Sequence, residues 1–290
     1  MRSSLLVVLC STIIAAAAVA DEGRKMVPLG VVRTPAPVLL QQLQEMGARE
    51  KAAALRPVAD VVLEGAEAAF IFPVVGTAGA FRTEGVLYNR RNQQQTVVAY
   101  YLPIGGGAAN CDRPGRAFVM DAGSWYVYTD LVPDLFPGTS GFGSMVVVGV
   151  TANGSADPNA AIDGNARIWS GSAETGTASQ NFPSFSVAVP AGPQSAFGLR
   201  ADEFYRTNWG IFNYDSVART FDIVFNGTRG SGSIATEIPP CTLVQSAVTG
   251  GPYGSLEIGF IPRDGRGLFY AYGSSVDNRS LDAWSVPARK

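Results

Sequence analysis

One stretch of this chain occurs twice, and the repetition limits its possible folds more than any other feature. Phe81-Arg82-Thr83-Glu84-Gly85-Val86-Leu87-Tyr88-Asn89 returns as Tyr205-Arg206-Thr207-Asn208-Trp209-Gly210-Ile211-Phe212-Asn213, an offset of 124 (205 − 81). Thr96-Val97-Val98 continues this register onto Thr220-Phe221-Asp222. Phe142-Gly143-Ser144-Met145 matches Tyr253-Gly254-Ser255-Leu256 at an offset of 111 (253 − 142). Trp169-Ser170-Gly171-Ser172 matches Tyr272-Gly273-Ser274-Ser275 at 103 (272 − 169). The falling offsets assign longer loops to the first copy, at 104–116 and 152–165, and loops are where a duplicated unit tolerates insertion. Lead-in strands are expected at 70–75 for the first copy and 185–190 for the second.

Within each copy the apolar period is two. Phe221, Ile223 and Phe225 alternate with Asp222 and Val224, and Leu256, Ile258 and Phe260 alternate with Glu257 and Gly259. That is the pattern of half-buried strands. Asn226-Gly227 and Asp264-Gly265 are hairpin-type turns. Apart from one turn near 131–136, no helical pattern separates the strands, which argues against a parallel βαβ sheet. The expected fold class is therefore all-β, with two tandem antiparallel β-sandwich modules of about seven strands each.

Composition narrows the chemistry. Hydrophobic residues make up 47% and charged residues 16%, enough apolar material for packed cores. A net charge of −2 supplies no basic field for a phosphate backbone, so no nucleic-acid partner is expected. The chain has no histidine, which excludes Ser-His-Asp triads, Cys-His pairs, imidazole metal ligands and imidazole acid–base catalysis. Lysine occurs only as Lys25, Lys51 and Lys290, outside the repeats or at their tail, which argues against a Ser-Lys catalyst.

The first twenty residues read as a secretory signal peptide. Arg2 precedes an apolar run from Leu5 to Val19, and Ala18-Val19-Ala20 places cleavage after Ala20. An uncleaved anchor is the alternative, although the run is short for a span. No membrane span is expected after cleavage. Removal of the leader takes Cys10 with it and leaves Cys111 and Cys241, one in each copy. An exported chain with one remaining pair suggests a disulfide stapling the copies together, against two separate buried thiols. Between leader and repeats, residues 21–66 read as a helical segment. Leu39, Leu40, Leu43 and Met46 recur at helical spacing opposite Gln41, Gln42, Gln44 and Glu45. The domain reading is thus 1–20 signal peptide, 21–66 helical segment, 67–183 first module and 184–290 second module.

The motif Phe/Tyr-Arg-Thr followed by a hydrophobic-aromatic-Asn strand end, with Tyr272-Gly273-Ser274-Ser275-Val276-Asp277-Asn278-Arg279-Ser280 downstream, resembles tandem modules of secreted bacterial proteins. Those modules are uncharacterised, immunoglobulin-like β-sandwiches. The resemblance covers about residues 70–290, implies an immunoglobulin-like sandwich for each copy, and implies no activity. The first copy departs from it, with Ala173-Glu174-Thr175-Gly176 in place of Val-Asp-Asn-Arg and Glu84 in place of Asn208.

Candidate residues each carry two readings. Arg82 and Arg206 share one repeat position; they could bind an anion, but recurrence in a duplicated scaffold favours packing and local pairing. Asn89 and Asn213 fit a side chain satisfying its own turn. Trp125, Trp169 and Trp209, with Tyr101, Tyr126, Tyr128 and Trp284, could form a sugar-stacking face or could be core aromatics. Asp277, Asn278 and Asp282, like Asp157, Asp163 and Asn165, could offer oxygens to Ca²⁺, but neither loop has the spacing of a calcium-loop motif. Gly105-Gly106-Gly107 lacks the Lys-Ser/Thr and helix of a phosphate cradle. The expected function is a secreted, non-catalytic structural or interaction protein with no cofactor, whose partner is a protein or glycan at the cell surface. The alternatives are a carbohydrate- or small-ligand-binding module and, behind it, a carboxylate-dependent hydrolase.

Overall fold

The computed structural model describes residues 69–152, 154–172, 176–186 and 192–290. The expected signal peptide and cleavage site and the expected helical segment at 21–66 lie outside the described residues. Among those described, no helix is long and apolar enough to cross a membrane.

The fold is all-β, two antiparallel sandwiches in tandem. The first uses β1 (Ala69–Thr77), β2 (Arg82–Asn89), β3 (Gln95–Pro103), β4 (Arg116–Met120), β5 (Trp125–Tyr128), β6 (Gly141–Val150), β7 (Ile162–Ser172) and β8 (Gly176–Pro183). A single turn, α1 (Leu131–Leu135), precedes β6, and a two-residue strand, β9 (Phe185–Ser186), follows β8. The second uses β10 (Gln194–Ala201), β11 (Tyr205–Asn213), β12 (Arg219–Gly227), β13 (Gly230–Ile238), β14 (Thr242–Ala247), β15 (Gly254–Pro262), β16 (Phe269–Asp277) and β17 (Ala283–Pro287). Each copy thus has eight strands where about seven are expected from the sequence.

Strand order establishes the duplication. In the first copy β4-β3-β6-β1, extended by β9, faces β5-β2-β7-β8; in the second β13-β12-β15-β10 faces β14-β11-β16-β17. Strand for strand, these are the same layout. Even an irregularity recurs: the β1–β6 register slips between Phe72 and Val75, and the β10–β15 register slips between Ala196 and Leu199, positions 124 apart. The asparagines repeat as well, with Asn89 Nδ2 donating to the carbonyls of Gln93, Met120 and Asp121 and Asn213 Nδ2 to those of Val217, Ile238 and Pro239.

The registers also correct two of the sequence matches. Arg82 pairs with Trp169 and Arg206 with Val276, so Trp169 corresponds to Val276, not to Tyr272. Gly143 pairs with Val75 and Leu256 with Leu199, which moves the second block by two residues. Both errors are even, four and two. An even slip keeps each side chain on its own face, so the in/out pattern cannot detect it. The lead-in strand expected at 185–190 is corrected too: Phe185 and Ser186 close the edge of β1, and β10 opens the second copy.

The four sheets stack in one order: β5-β2-β7-β8, then β4-β3-β6-β1, then β14-β11-β16-β17, then β13-β12-β15-β10. We call them outer sheet 1, inner sheet 1, inner sheet 2 and outer sheet 2. Phe72, Val97, Ala99, Tyr101, Met145 and Val147 form the first core with Leu87 and Ala166 of outer sheet 1. Trp209, Ile211, Phe269 and Ala271 form the last core with Phe221, Ile223, Ile258 and Phe260 of outer sheet 2. A third core lies between the copies: Ile71, Val98, Tyr100, Leu102, Val146 and Val148 meet Phe212, Leu243, Tyr270 and Tyr272.

The central strands β1, β3 and β6 of inner sheet 1 are therefore buried on both faces. This is why Val97 to Leu102 and Met145 to Val148 are unbroken apolar runs, whereas β13 on the outside alternates exposed and half-buried positions. Fully burying one large apolar side chain is worth about 1.5–3 kcal/mol, and an exposed ion pair about 0–1 kcal/mol. Apolar burial, not surface charge, holds the copies together.

A polar seam closes one end of the shared core. Cys111 and Cys241 are disulfide-bonded. Beside them Asn110, buried in the 3-10 turn Gly107–Asn110, donates from Nδ2 to the carbonyls of Pro103 and Cys241, 3.0 and 3.1 Å away. Thr242 Oγ1 donates to the Gly107 carbonyl. The Gly105-Gly106-Gly107 run thus serves this junction: Gly105 and Gly107 have φ of 79° and 55°, and a Cβ on Gly106 would lie 2.0 Å from Asn110 Oδ1.

Candidate functional site

The outward face of outer sheet 1 is the copy surface that inner sheet 2 buries in the second module. Phe212, Leu243, Tyr270 and Tyr272 fill the covered version; in register, Tyr88, Trp125, Asp163 and Asn165 occupy the free one. Charge and amide have replaced part of the apolar set, and aromatics have stayed. Trp125 is 52% exposed and stacks on Tyr88, with ring centroids 4.1 Å apart and planes at 17°. Trp169 lies on the same face six residues further along, beside Arg82. At about 3.3 Å per residue the two aromatic positions are roughly 20 Å apart.

Polar groups fill the interval. Arg167 reaches Glu84 with Nε and Nη2, at 3.2 and 2.6 Å. Asn165 and Asn181 flank that pair on β7 and β8, and Arg90 holds Asp163 at 3.0 Å. A shallow groove of about 420 Å³ runs over Glu84, Val86, Val127, Asn165, Arg167 and Asn181. Both Arg167 donors meet one oxygen, Oε2, of Glu84, so the other carboxylate oxygen and the two asparagine amides remain as polar groups between the two aromatic positions.

Trp209 does not join this face. It is 1% exposed, in the core of the second module. The reason is a substitution between copies. Its equivalent in the first module is Gly85, and a Cβ there would sit 2.8 Å from Leu131 Cδ2. The inserted turn α1 thus drops Leu131 into the volume that Trp209 fills in the second copy. A tryptophan inside a strand reads alike in either role, so spacing alone cannot sort it.

The two arginines share a position and differ in employment. Arg82 donates to the carbonyls of Gly79 and Phe81, both at 2.8 Å, and its Nε lies 3.3 Å from Asp130. Asp130 also accepts from Thr77 Oγ1. Burial raises the Asp130 carboxyl above the ordinary aspartate value, and the hydrogen bond from Thr77 and the charge of Arg82 oppose that rise. Arg206 instead donates to Asn278 Oδ1 at 2.8 Å, and among the described residues no carboxylate pairs with it. Strands β5 and β14 are related by 118 (243 − 125), so the place of Asp130 falls to Val248. The second copy keeps the arginine, and among the described residues Val248 stands where the first copy has its counter-charge.

Arg206 borders a cleft between the modules, of about 480 Å³. Phe81, Ile104, Phe142 and Ile168 line it from the first module, and Asn208, Gln245, Val276 and Leu281 from the second.

The remaining candidates are engaged locally. Asp277 accepts from the amides of Arg279 and Ser280, at 2.7 and 3.1 Å, and these bonds hold its carboxyl below the ordinary aspartate value. Asn278 is taken by Arg206, and the Asp282 amide bonds Ser280 Oγ. Asp157 pairs with Arg91 at 2.6 Å. The side-chain oxygens of Asp277, Asn278, Asp157 and Asp163 are thus turned to amides and guanidinium groups, and no cluster of three or more acidic, Cys or His side chains suited to a metal occurs among the described residues.

The chemistry available on the free face is stacking plus hydrogen bonding. No protein-family model matches the sequence. A search of curated proteins likewise finds no significant match, so the reading of this surface rests on its own geometry.

Proposed function

We propose that the chain is an exported, non-catalytic binding protein of the bacterial envelope or extracellular space, and that outer sheet 1 recognises a glycan. The observation that carries this reading is Trp125, half exposed and stacked on Tyr88, in line with the half-buried Trp169 on the same sheet face, with Arg167, Glu84, Asn165 and Asn181 between them. Aromatic faces attract the C–H faces of sugar rings, and planar amide and ion-paired groups between them suit hydroxyls. A spacing of roughly 20 Å fits an extended oligosaccharide better than a single ring. Export rests on the leader sequence and on the two remaining cysteines.

The mature protein is tested on a glycan array, with hits quantified by titration calorimetry. Saturable binding that falls at least tenfold in Trp125→Ala, at unchanged thermal stability, supports the proposal. An array without hits removes it and leaves a structural role for the rigid stack of sheets.

A further inference from the structure

We infer that the cleft between the modules is a second binding site, independent of the glycan face, and that its ligand is a small amphipathic anion: a carboxylate on an apolar body. The argument begins with the lining. Of the described residues that line the cleft, Arg206 is the one that carries a charge; the others are apolar side chains, hydroxyls and amides. The volume of about 480 Å³ lies in the range of ordinary ligand sites, about 300–1,000 Å³, and such sites are mostly apolar with a few placed polar groups.

The history of the repeat adds an independent observation. In the first copy the same arginine is neutralised by Asp130. In the second, Val248 stands in that place, and the described residues bring no carboxylate to Arg206. An arginine that meets no carboxylate among the described residues keeps a net positive head that a ligand carboxylate can neutralise. Asn278 Oδ1 accepts from its Nη1 at 2.8 Å without neutralising it.

The walls match the other half of the ligand. Phe81, Ile104 and Leu281 are each 46% exposed, and all three line the cleft. Phe81 and Phe142 meet edge to face at 6.0 Å. Leu281 projects from a left-handed backbone position, φ 62°, which is uncommon for leucine. Apolar side chains from two modules converge here on one cation, and that is the complement of an acyl carboxylate.

The test uses decanoate below its micellar concentration, with decanol as the uncharged control, titrated into the mature protein and followed by calorimetry and heteronuclear NMR. The expected result is saturable decanoate binding with shifts at Phe81, Leu281 and Arg206. Decanol should bind at least tenfold more weakly. Arg206→Gln should lose tenfold or more for decanoate and leave decanol unchanged, and Arg229→Gln, at a surface pair with Glu203, should change neither. Decanoate that fails to saturate, binds no better than decanol or is indifferent to Arg206→Gln overturns the inference. Because glycan binding is read at Trp125, either site can fail without the other.

Discussion

Asn213 in the second module makes the same four bonds as Asn89 in the first. Each Nδ2 donates to three carbonyls, and each Oδ1 accepts the amide two residues on, Arg91 for Asn89 and Asp215 for Asn213. Both side chains are fully buried. One amide thus ties the end of a strand, its own turn and a neighbouring strand end. Asn213→Ala leaves the buried Ile238 carbonyl without this donor and should destabilise the protein by about 1–3 kcal/mol. Urea unfolding monitored by tryptophan fluorescence checks this. Asn89→Ala should behave alike, and a loss below 0.5 kcal/mol in both would contradict the structural role (about one third of a typical unsatisfied-group penalty).

Gly210 lies under the Tyr272 ring, where a Cβ would come within 2.3 Å of Cε1. Its equivalent in the first copy, Val86, sits on the free face and meets no such ring. Gly210→Val should therefore cost about 1–3 kcal/mol by overpacking the shared core. Val86→Gly should cost no more than about 1 kcal/mol, the strand penalty of glycine. Differential scanning calorimetry of the two variants decides the point, and equal shifts would refute the account.

The disulfide closes a sequence separation of 130 residues. Replacing both cysteines with serine should lower stability by about 2–5 kcal/mol. The shared core should keep the modules unfolding as one cooperative transition, because its apolar burial survives the change. Two resolved transitions would show that the bond, not the core, couples them. Peptide mapping without reductant should recover Cys111 and Cys241 in one linked pair.

Asp202 caps the β10–β11 hairpin with a side chain only 2% exposed. Burial opposes its ionisation, but the amides of Phe204 and Tyr205 and the Arg200 guanidinium outweigh burial and hold its carboxyl below the ordinary aspartate value. A depressed folded value means a stabilising contribution that is full above the unfolded value and lost as pH falls through the folded one. Stability should decline below about pH 4, and Asp202→Asn should flatten that decline. Unfolding curves recorded from pH 6 to pH 2 test it; an unchanged acid limb in the variant argues against Asp202.

The sequence by itself determined the duplication, the all-β class and the strand-end asparagines. Each depends on local rules: a period of two, turn chemistry, and identical short segments folding alike. Unbroken apolar runs such as Val97 to Leu102 carry the signal of a strand buried on both faces, whereas the alternation of Phe221 to Phe225 marks one buried face. Tertiary structure alone decided what surrounds each equivalent position. Trp125 and Leu243 are equivalents, yet one is a free face and the other a covered core. Arg82 and Arg206 are equivalents, yet only one meets a carboxylate. Gly85 and Trp209 are equivalents, yet Leu131 from a neighbouring turn fills in the first copy the space the indole takes in the second. Strand pattern encodes which way a side chain points. What it points at depends on which sheet stacks on which, and that is settled by long-range burial between segments more than a hundred residues apart.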